Sequence, residues 1–375
     1  MELMRQEALQ TDLFVVGGGP AGLAAAIAAR QKGLSVIVAD YAHPPIDKAC
    51  GEGLMPDAIS ALSRLGVTLG LNQGVGFRGI RFTDSQVSVA AKFPRGFGLG
   101  IRRPELHELL IRRAEEAGVA ILWGTRVSKL PNGAIELNGR RIESRWIIGA
   151  DGQNSRTRVW MGLDCYRYQH RRYGFRQHYR VTPWTDFVEV HWGENCQIVI
   201  TPVGPDDICL ALNSRDARLR LGEALLQFPE VLNRLKDATV TTEERGAISS
   251  FHSVSTVYQD RFALVGDASG SVDALTGMGL GLAFQQALAL AEAIEGGDLS
   301  RYQASHRRIA RLPALMSWLM LSMDKHAWLR QKVLQVLAAE PHLFSKLLAV
   351  HVSALSPTAF GLGDALKLGW RLVQP

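Results

Sequence analysis

Residues 13–16 form an unbroken apolar run that enters Gly17-Gly18-Gly19-Pro20-Ala21-Gly22. An alanine-rich stretch over 23–32 follows and stops at Gly33, and a second apolar run over 35–39 ends at Asp40. Short apolar runs bounded by turn residues read as buried strands, and a glycine closing an alanine-rich stretch reads as a helix stop. The pattern predicts strand, tight turn, helix, strand, which is a βαβ unit. Downstream it predicts helices over 56–65 and 104–117, a strand pair over 77–91 turning at Asp84-Ser85, and strands over 120–123, 134–137 and 146–148.

Between residues 173 and 213 the texture changes to alternating β-branched and aromatic positions, clearest over 187–192, 197–203 and 208–213, with a turn at Pro205-Asp206-Asp207. That alternation predicts an antiparallel sheet inserted between two α/β portions. A strand over 261–265 then runs into Gly266-Asp267, an alanine-rich helix covers 281–294, and the remainder is helical. On that last portion Leu312, Leu315, Met316, Leu319, Met320 and Met323 recur at helical spacing. The stripe reads as core, with the lining of a greasy substrate site as the sharper alternative. The implied organisation is a discontinuous nucleotide lobe (1–70, 98–165 and 250–300), a sheet lobe (71–97 and 166–249) and a helical region (301–375).

Composition narrows the class without naming it. Apolar residues make up 47% and charged residues 21%, as in ordinary globular proteins. The net charge of +6 comes from scattered arginines with no long basic run, which argues against a nucleic-acid partner. Cys50, Cys165, Cys196 and Cys209 are too widely spaced for a zinc site or a dithiol pair, so no metal is expected and a reducing cytoplasm is the default. Residues 1–10 are polar and lack the pattern of a secretory leader, and no apolar stretch reaches membrane-spanning length. Peripheral membrane contact stays open.

The glycine turn carries the first chemistry. Gly17 permits the tight turn, Gly19 lets backbone approach a pyrophosphate, and Gly22 lets helix and strand pack closely. The following helix points its first amides at phosphates, and Asp40 stands where a carboxylate accepts ribose hydroxyls. Dinucleotide binding follows from this context, though not the choice between NAD and FAD.

Further segments carry a resemblance. Trp146-Ile147-Ile148-Gly149-Ala150-Asp151-Gly152 is similar to the Asp-Gly segment of flavin monooxygenases and related reductases. The Gly266-Asp267 strand end, followed by Gly277-Met278-Gly279-Leu280-Gly281, is similar to their Gly-Asp segment. Cys50-Gly51-Glu52-Gly53-Leu54-Met55-Pro56 resembles the stretch after the second strand in geranylgeranyl reductases and flavin-dependent halogenases. Arg102-Arg103-Pro104-Glu105-Leu106 resembles the family's arginine-bearing helix start. The glycine turn, the Asp-Gly segment and the Gly-Asp segment, in that order along the chain, resemble those of FAD-dependent oxidoreductases of the p-hydroxybenzoate hydroxylase fold. That fold is α/β: a Rossmann-like FAD-binding domain with an inserted antiparallel β-sheet substrate domain and a helical C-terminus.

The resemblance implies FAD as cofactor and NAD(P)H as a transient reductant, since no second glycine fingerprint exists for a nicotinamide domain. It implies that Gly17, Gly19, Pro20, Ala21, Gly22, Asp40 and Val127 belong to the cofactor site. Arg103, with Arg102 in reserve, would meet the diphosphate through its planar fork. Gly51, Glu52 and Gly53 would lie along the flavin. Asp267 would accept ribityl hydroxyls, and Gly277, Met278, Gly279 and Leu280 would open a helix whose N-terminus stabilises charge on reduced flavin. Asp151 and Gly152 would shape the meeting point of nicotinamide and flavin, or form a turn that Asp151 caps.

On the substrate side the polar positions within apolar strands are His178, Glu189, His191, Thr201 and Pro202's neighbourhood, with Pro202 itself the one residue kept from the segment of geranylgeranyl reductases. No catalytic acid or base stands out, as expected where the cofactor supplies the reactivity. The implied reaction is monooxygenation of an aromatic, polyketide-like or lipophilic small molecule with molecular oxygen through a flavin C4a-hydroperoxide. Saturation of a prenyl or lipid double bond is the second reading, supported by Cys50–Pro56. Halogenation is disfavoured by the missing tryptophan segment, and a non-catalytic flavoprotein is the remaining alternative.

Overall fold

A computed structural model describes residues 8–70, 72–129, 135–361, 363, 364 and 369. The expectations of no leader over 1–7, of a strand beginning at 134, and of helix over 365–368 and 370–375 lie outside these residues.

The glycine-bearing unit forms as the pattern predicts. Strand Leu9–Val16 enters the turn, helix Pro20–Gln31 follows, and strand Val36–Ala39 pairs parallel with the first. Leu13, Phe14 and Val15 are fully buried in a core that also holds Leu23 and Ala287 from the helices and Val127 and Leu137 from the strands Val127–Lys129 and Ile135–Leu137. Strands Arg140–Gly149 and Phe262–Leu264 extend the parallel sheet on one side and Ala120–Leu122 on the other. The nucleotide lobe is therefore assembled from distant pieces of chain. Small residues on Pro20–Gln31 let it pack closely against helix Gly279–Glu295.

The second sheet has nine strands. Tyr166–Arg180, Asp207–Ser214, Cys196–Gly204 and Val188–Trp192 pair antiparallel, with Arg245–Val254 on the far side of Tyr166–Arg180. One pairing corrects the expectation of a purely antiparallel sheet: Val188–Trp192 runs parallel to Gly79–Thr83. The intervening chain crosses the whole nucleotide lobe, which gives room for a parallel return. Strand Arg245–Val254 also runs across residue 250, where the sequence suggested a lobe boundary.

Ile198, Ile200 and Leu210 pack the outer face of this sheet beneath Leu221, Leu225 and Val231. The inner face looks toward the nucleotide lobe. Three C-terminal helices, Leu299–Lys325, Ala327–Ala339 and Pro341–His351, close one side of the space between. Their Met320, Met323, Leu334 and Leu343 form a second core with Ile80, Val188 and Val190. Among the described residues no single helix is long and apolar enough to cross a membrane; the last two pass such a test only jointly, bent by 107° and buried along this core.

Candidate active site

The space between the lobes is a cavity of about 1030 Å³ that runs from the glycine turn, beneath the large sheet, to the C-terminal helices. Gly17 has φ +111, and a Cβ there would meet the Ala150 carbonyl oxygen at 2.5 Å. At Gly22 a Cβ would meet the Gly17 carbonyl oxygen at 1.8 Å, so this glycine sets the closeness of helix and strand. Gly19 differs: it borders the cavity, and nothing lies within 4 Å of its Cβ position. The N-terminus of helix Pro20–Gln31 thus presents its amides to open space.

Two side chains hold that turn. Asp40 accepts from Gly18 N at 2.7 Å and from Ala42 N at 2.8 Å. His107 accepts from Ile46 N at 3.0 Å through Nδ1, so its Nε2–H donates to the Gly18 carbonyl at 2.8 Å. Burial lowers the His107 pKa, which keeps the ring neutral in that tautomer. His107 follows directly on the arginine-bearing segment; its signal in the sequence is only its place on the buried face of helix Arg103–Glu116.

Arg103 borders the cavity, and its Nε is buried without a partner among the described residues. Arg102 instead reaches His178 Nδ1 at 3.4 Å and does not border the cavity. Asp151 also borders it, yet its carboxylate accepts from Ser155 Oγ and from Thr157 N at 2.9 Å, capping the helix Arg156–Trp160. Beside it Gly152, with φ +78, has nothing within 4 Å of its Cβ position. Asp267 lies 3.5 Å from Lys48 Nζ, a cation the motif reading missed.

Pro20, Ala21, Gly51, Gly53, Val127, Gly266, Gly277, Gly279 and Leu280 border the same cavity. Gly22 and Met278 do not: Gly22 is a packing residue and Met278 is buried at the start of helix Gly279–Glu295. Glu52 borders the cavity with its backbone in the left-handed region, φ +57, while its carboxylate turns into the protein toward His178 and Arg103 N.

The substrate-side candidates require correction. His178 is fully buried against Glu52 and does not border the cavity. Glu189 and His191 lie on the face of Val188–Trp192 turned away from the cavity, because strand alternation sends Val188 and Val190 inward. There Glu189 bonds Arg81, Trp184 and His191; burial pushes its carboxyl up, but His191, Trp184 and Arg81 outweigh burial and bring it to about 2. Pro202 is also off the cavity, its carbonyl lying where a Cβ on Gly100 would strike it. Of this group Thr201 alone borders the cavity, with Oγ1 unpartnered among the described residues.

The helical stripe meets both readings, since Met320 and Met323 belong to the second core and the same face borders the cavity. Met316, Leu319, Met320 and Met323 border the cavity, joined by Val333, Leu337, Phe344 and Leu348, whereas Leu315 is 61% exposed. The stripe is the wall of an apolar wing. At its inner end His351 Nε2–H donates to the Thr276 carbonyl at 2.8 Å, since a carbonyl can only accept.

The sequence matches the FAD binding domain family over residues 10–197. It is 28% identical over 320 residues to a menaquinone reductase of Mycobacterium tuberculosis, covering 77% of this chain and 78% of that one. It is also 28% identical over 345 residues to digeranylgeranylglycerophospholipid reductase 2 of Methanopyrus kandleri, covering 79% and 82%. Among solved structures, a flavoprotein/dehydrogenase from Cytophaga hutchinsonii superposes with a TM-score of 0.78 at 17% identity, covering 93% of this chain and 94% of that one; at such identity the likeness concerns the fold.

Proposed function

The chain belongs to the FAD binding domain family and is an FAD-dependent oxidoreductase, and from that premise we propose that it saturates a carbon–carbon double bond in the prenyl chain of a lipid. The residues present fit FAD. Gly19, Gly152 and Gly279 leave open the space that a Cβ would enter, and Arg103 Nε is a buried donor at the cavity wall with no partner among the described residues. Gly17–Ala21 and Arg103 would hold its diphosphate, Asp40 its ribose, Asp267 its ribityl chain, and Gly277–Leu280 its ring edge. When bound, FAD would pass a hydride from NAD(P)H to one carbon of the double bond, and the other carbon would take a proton that comes from solvent.

The observation that supports the reaction is the apolar wing. Met316, Leu319, Met320, Met323 and Phe344 wall one end of a cavity whose other end is the glycine turn. Such a wing suits a long hydrocarbon chain, whose burial contributes about 0.8 kcal/mol per CH₂. It also excludes water from the reacting bond. The relatives agree in kind, one being named for a quinone and the other for a lipid with two geranylgeranyl chains. The likeness to both extends over most of each chain and, beside the apolar wing, supports saturation as the first reading and monooxygenation as the second.

The test is anaerobic incubation of the FAD-loaded protein with NAD(P)H and a prenyl lipid, followed by mass spectrometry. A product heavier by one hydrogen molecule per reduced bond supports the reading. No product without oxygen, together with an oxygen-bearing product in air, returns the reaction to monooxygenation.

A further inference from the structure

Asn213 is, beside Thr201, a polar group on the cavity wall that the FAD site leaves unused, and the one of the two with both a donor and an acceptor unmet among the described residues. Its side chain is 4% exposed and borders the cavity, and neither Oδ1 nor Nδ2 has a partner among the described residues. An unmade buried donor or acceptor costs about 1–3 kcal/mol, so an amide kept in this state is one that a ligand completes.

Its surroundings describe that ligand. Asn213 is in register with Gly174 on the next strand, and Gly174 with Ala247 on the strand beyond. Residues in register share a face, so Asn213 stands at the edge of a floor made of Gly174 and Ala247, with Ala211 one inward position along. A Cβ on Gly174 would approach only backbone carbonyls, at 3.6 and 3.8 Å. A floor with almost no side chains accepts a flat ring. The charges beside it are balanced: Arg172, 3.3 Å from the Asn213 carbonyl, is buried with Asp273 and Asp324, and Arg215 meets Asp324 at 3.0 Å. Arg176, in register with Ala211 and also on the cavity wall, is paired with Asp47 and Glu52, so among the described residues this end of the cavity has no unpaired cation for a phosphate.

We propose that Asn213 recognises a neutral, planar, oxygen-bearing head group, a quinone or hydroquinone, attached to the prenyl chain. Nδ2 donates to a ring carbonyl and Oδ1 accepts from a ring hydroxyl, so one amide serves both oxidation states. The inference rests on the prenyl-lipid reading and names the other end of its substrate.

The experiment titrates FAD-loaded protein, by its flavin spectrum, with a prenylated naphthoquinone, a prenyl diphosphate and a prenyl hydrocarbon of equal chain length. Asn213→Leu is expected to weaken the quinone about ten-fold and leave the hydrocarbon unchanged. Its melting temperature is expected not to fall, since it removes unpaired polar atoms. Asn213→Ala is expected to weaken the quinone alike. Unchanged quinone affinity in both variants, a lower melting temperature for Asn213→Leu, or tighter binding of diphosphate than of quinone by the wild type overturns the inference. Wild-type protein that binds neither quinone nor hydrocarbon removes the prenyl-lipid reading itself.

Discussion

His178 Nε2 lies 2.7 Å from Glu52 Oε2, with both side chains fully buried, and this pair ties the large sheet to the segment along the cavity floor. Burial alone pushes the Glu52 carboxyl up; the hydrogen bond and charge of His178, the Arg103 amide and Arg176 outweigh it and hold the carboxyl below its usual 4.5. A carboxyl depressed on folding contributes stability that is present above its unfolded value and lost as pH falls through its folded one. Wild-type stability should therefore decline on acidification below about pH 4.5. Glu52→Gln should be about 3 kcal/mol less stable at neutral pH, since it strips a buried pair of its charge, and flatter across that acid range. Urea unfolding at a series of pH values reads both.

Gly19 and Gly22 stand three residues apart in one motif and should fail differently. A Cβ at Gly22 meets backbone at 1.8 Å, so Gly22→Ala should unfold the nucleotide lobe or lower its melting temperature sharply. At Gly19 the Cβ enters the open cavity, so Gly19→Val should fold with near-native circular dichroism and bind FAD at least about ten-fold more weakly. Loss of the fold in Gly19→Val would mean that this glycine packs the lobe.

What the sequence disclosed and what it withheld divide along locality. Gly22 and Asp40 are fixed by contacts within one βαβ unit, so their spacing sufficed, whereas the close approach at Gly17 is to Ala150 beyond a distant strand. The alternation over 187–192 gave two faces, but the choice of inner face depends on which side the C-terminal helices cover. Glu189 and Val188 were therefore interchangeable until those helices were placed. The stripe at Met316, Leu319 and Met320 had the same ambiguity, because a helix facing a cavity and one facing a core share a periodicity. The parallel pairing of Val188–Trp192 with Gly79–Thr83 joins distant segments and leaves no local mark. Asn213 left none either, since an amide in a strand signals nothing until its partners are counted.

Two histidines outside the cofactor motifs should shape the response to mild acid. Burial, followed by Arg158, brings His252 to about 4, and burial, followed by Arg307, does the same for His306. His306 Nε2 accepts from Gln286 Nε2 at 3.0 Å, which the neutral ring alone allows. Because the folded values lie below the unfolded 6.5, their stabilisation is complete above about pH 6.5 and is lost as pH falls toward 4. Each group can contribute a slope of up to about 1.4 kcal/mol per pH unit in that window. Thermal melts of wild type between these limits should show the fall, and His306→Gln should show a shallower one.

Met320 gives the sharpest test of the apolar wing. Its side chain is 8% exposed and borders the cavity between Leu319 and Met323. Replacement by tryptophan projects a ring into space that a chain would fill, while overpacking of the surrounding core costs about 1–3 kcal/mol. Excluding one prenyl unit forfeits several CH₂ groups at about 0.8 kcal/mol each, so kcat/KM for a long-chain substrate should fall about 100-fold or more. A substrate with a single prenyl unit should lose little, and flavin reduction by NAD(P)H should be unchanged. Steady-state kinetics across a chain-length series separates this from general damage: a wing that holds the chain makes the loss grow with length, whereas an equal loss at every length would return the stripe to the role of plain core.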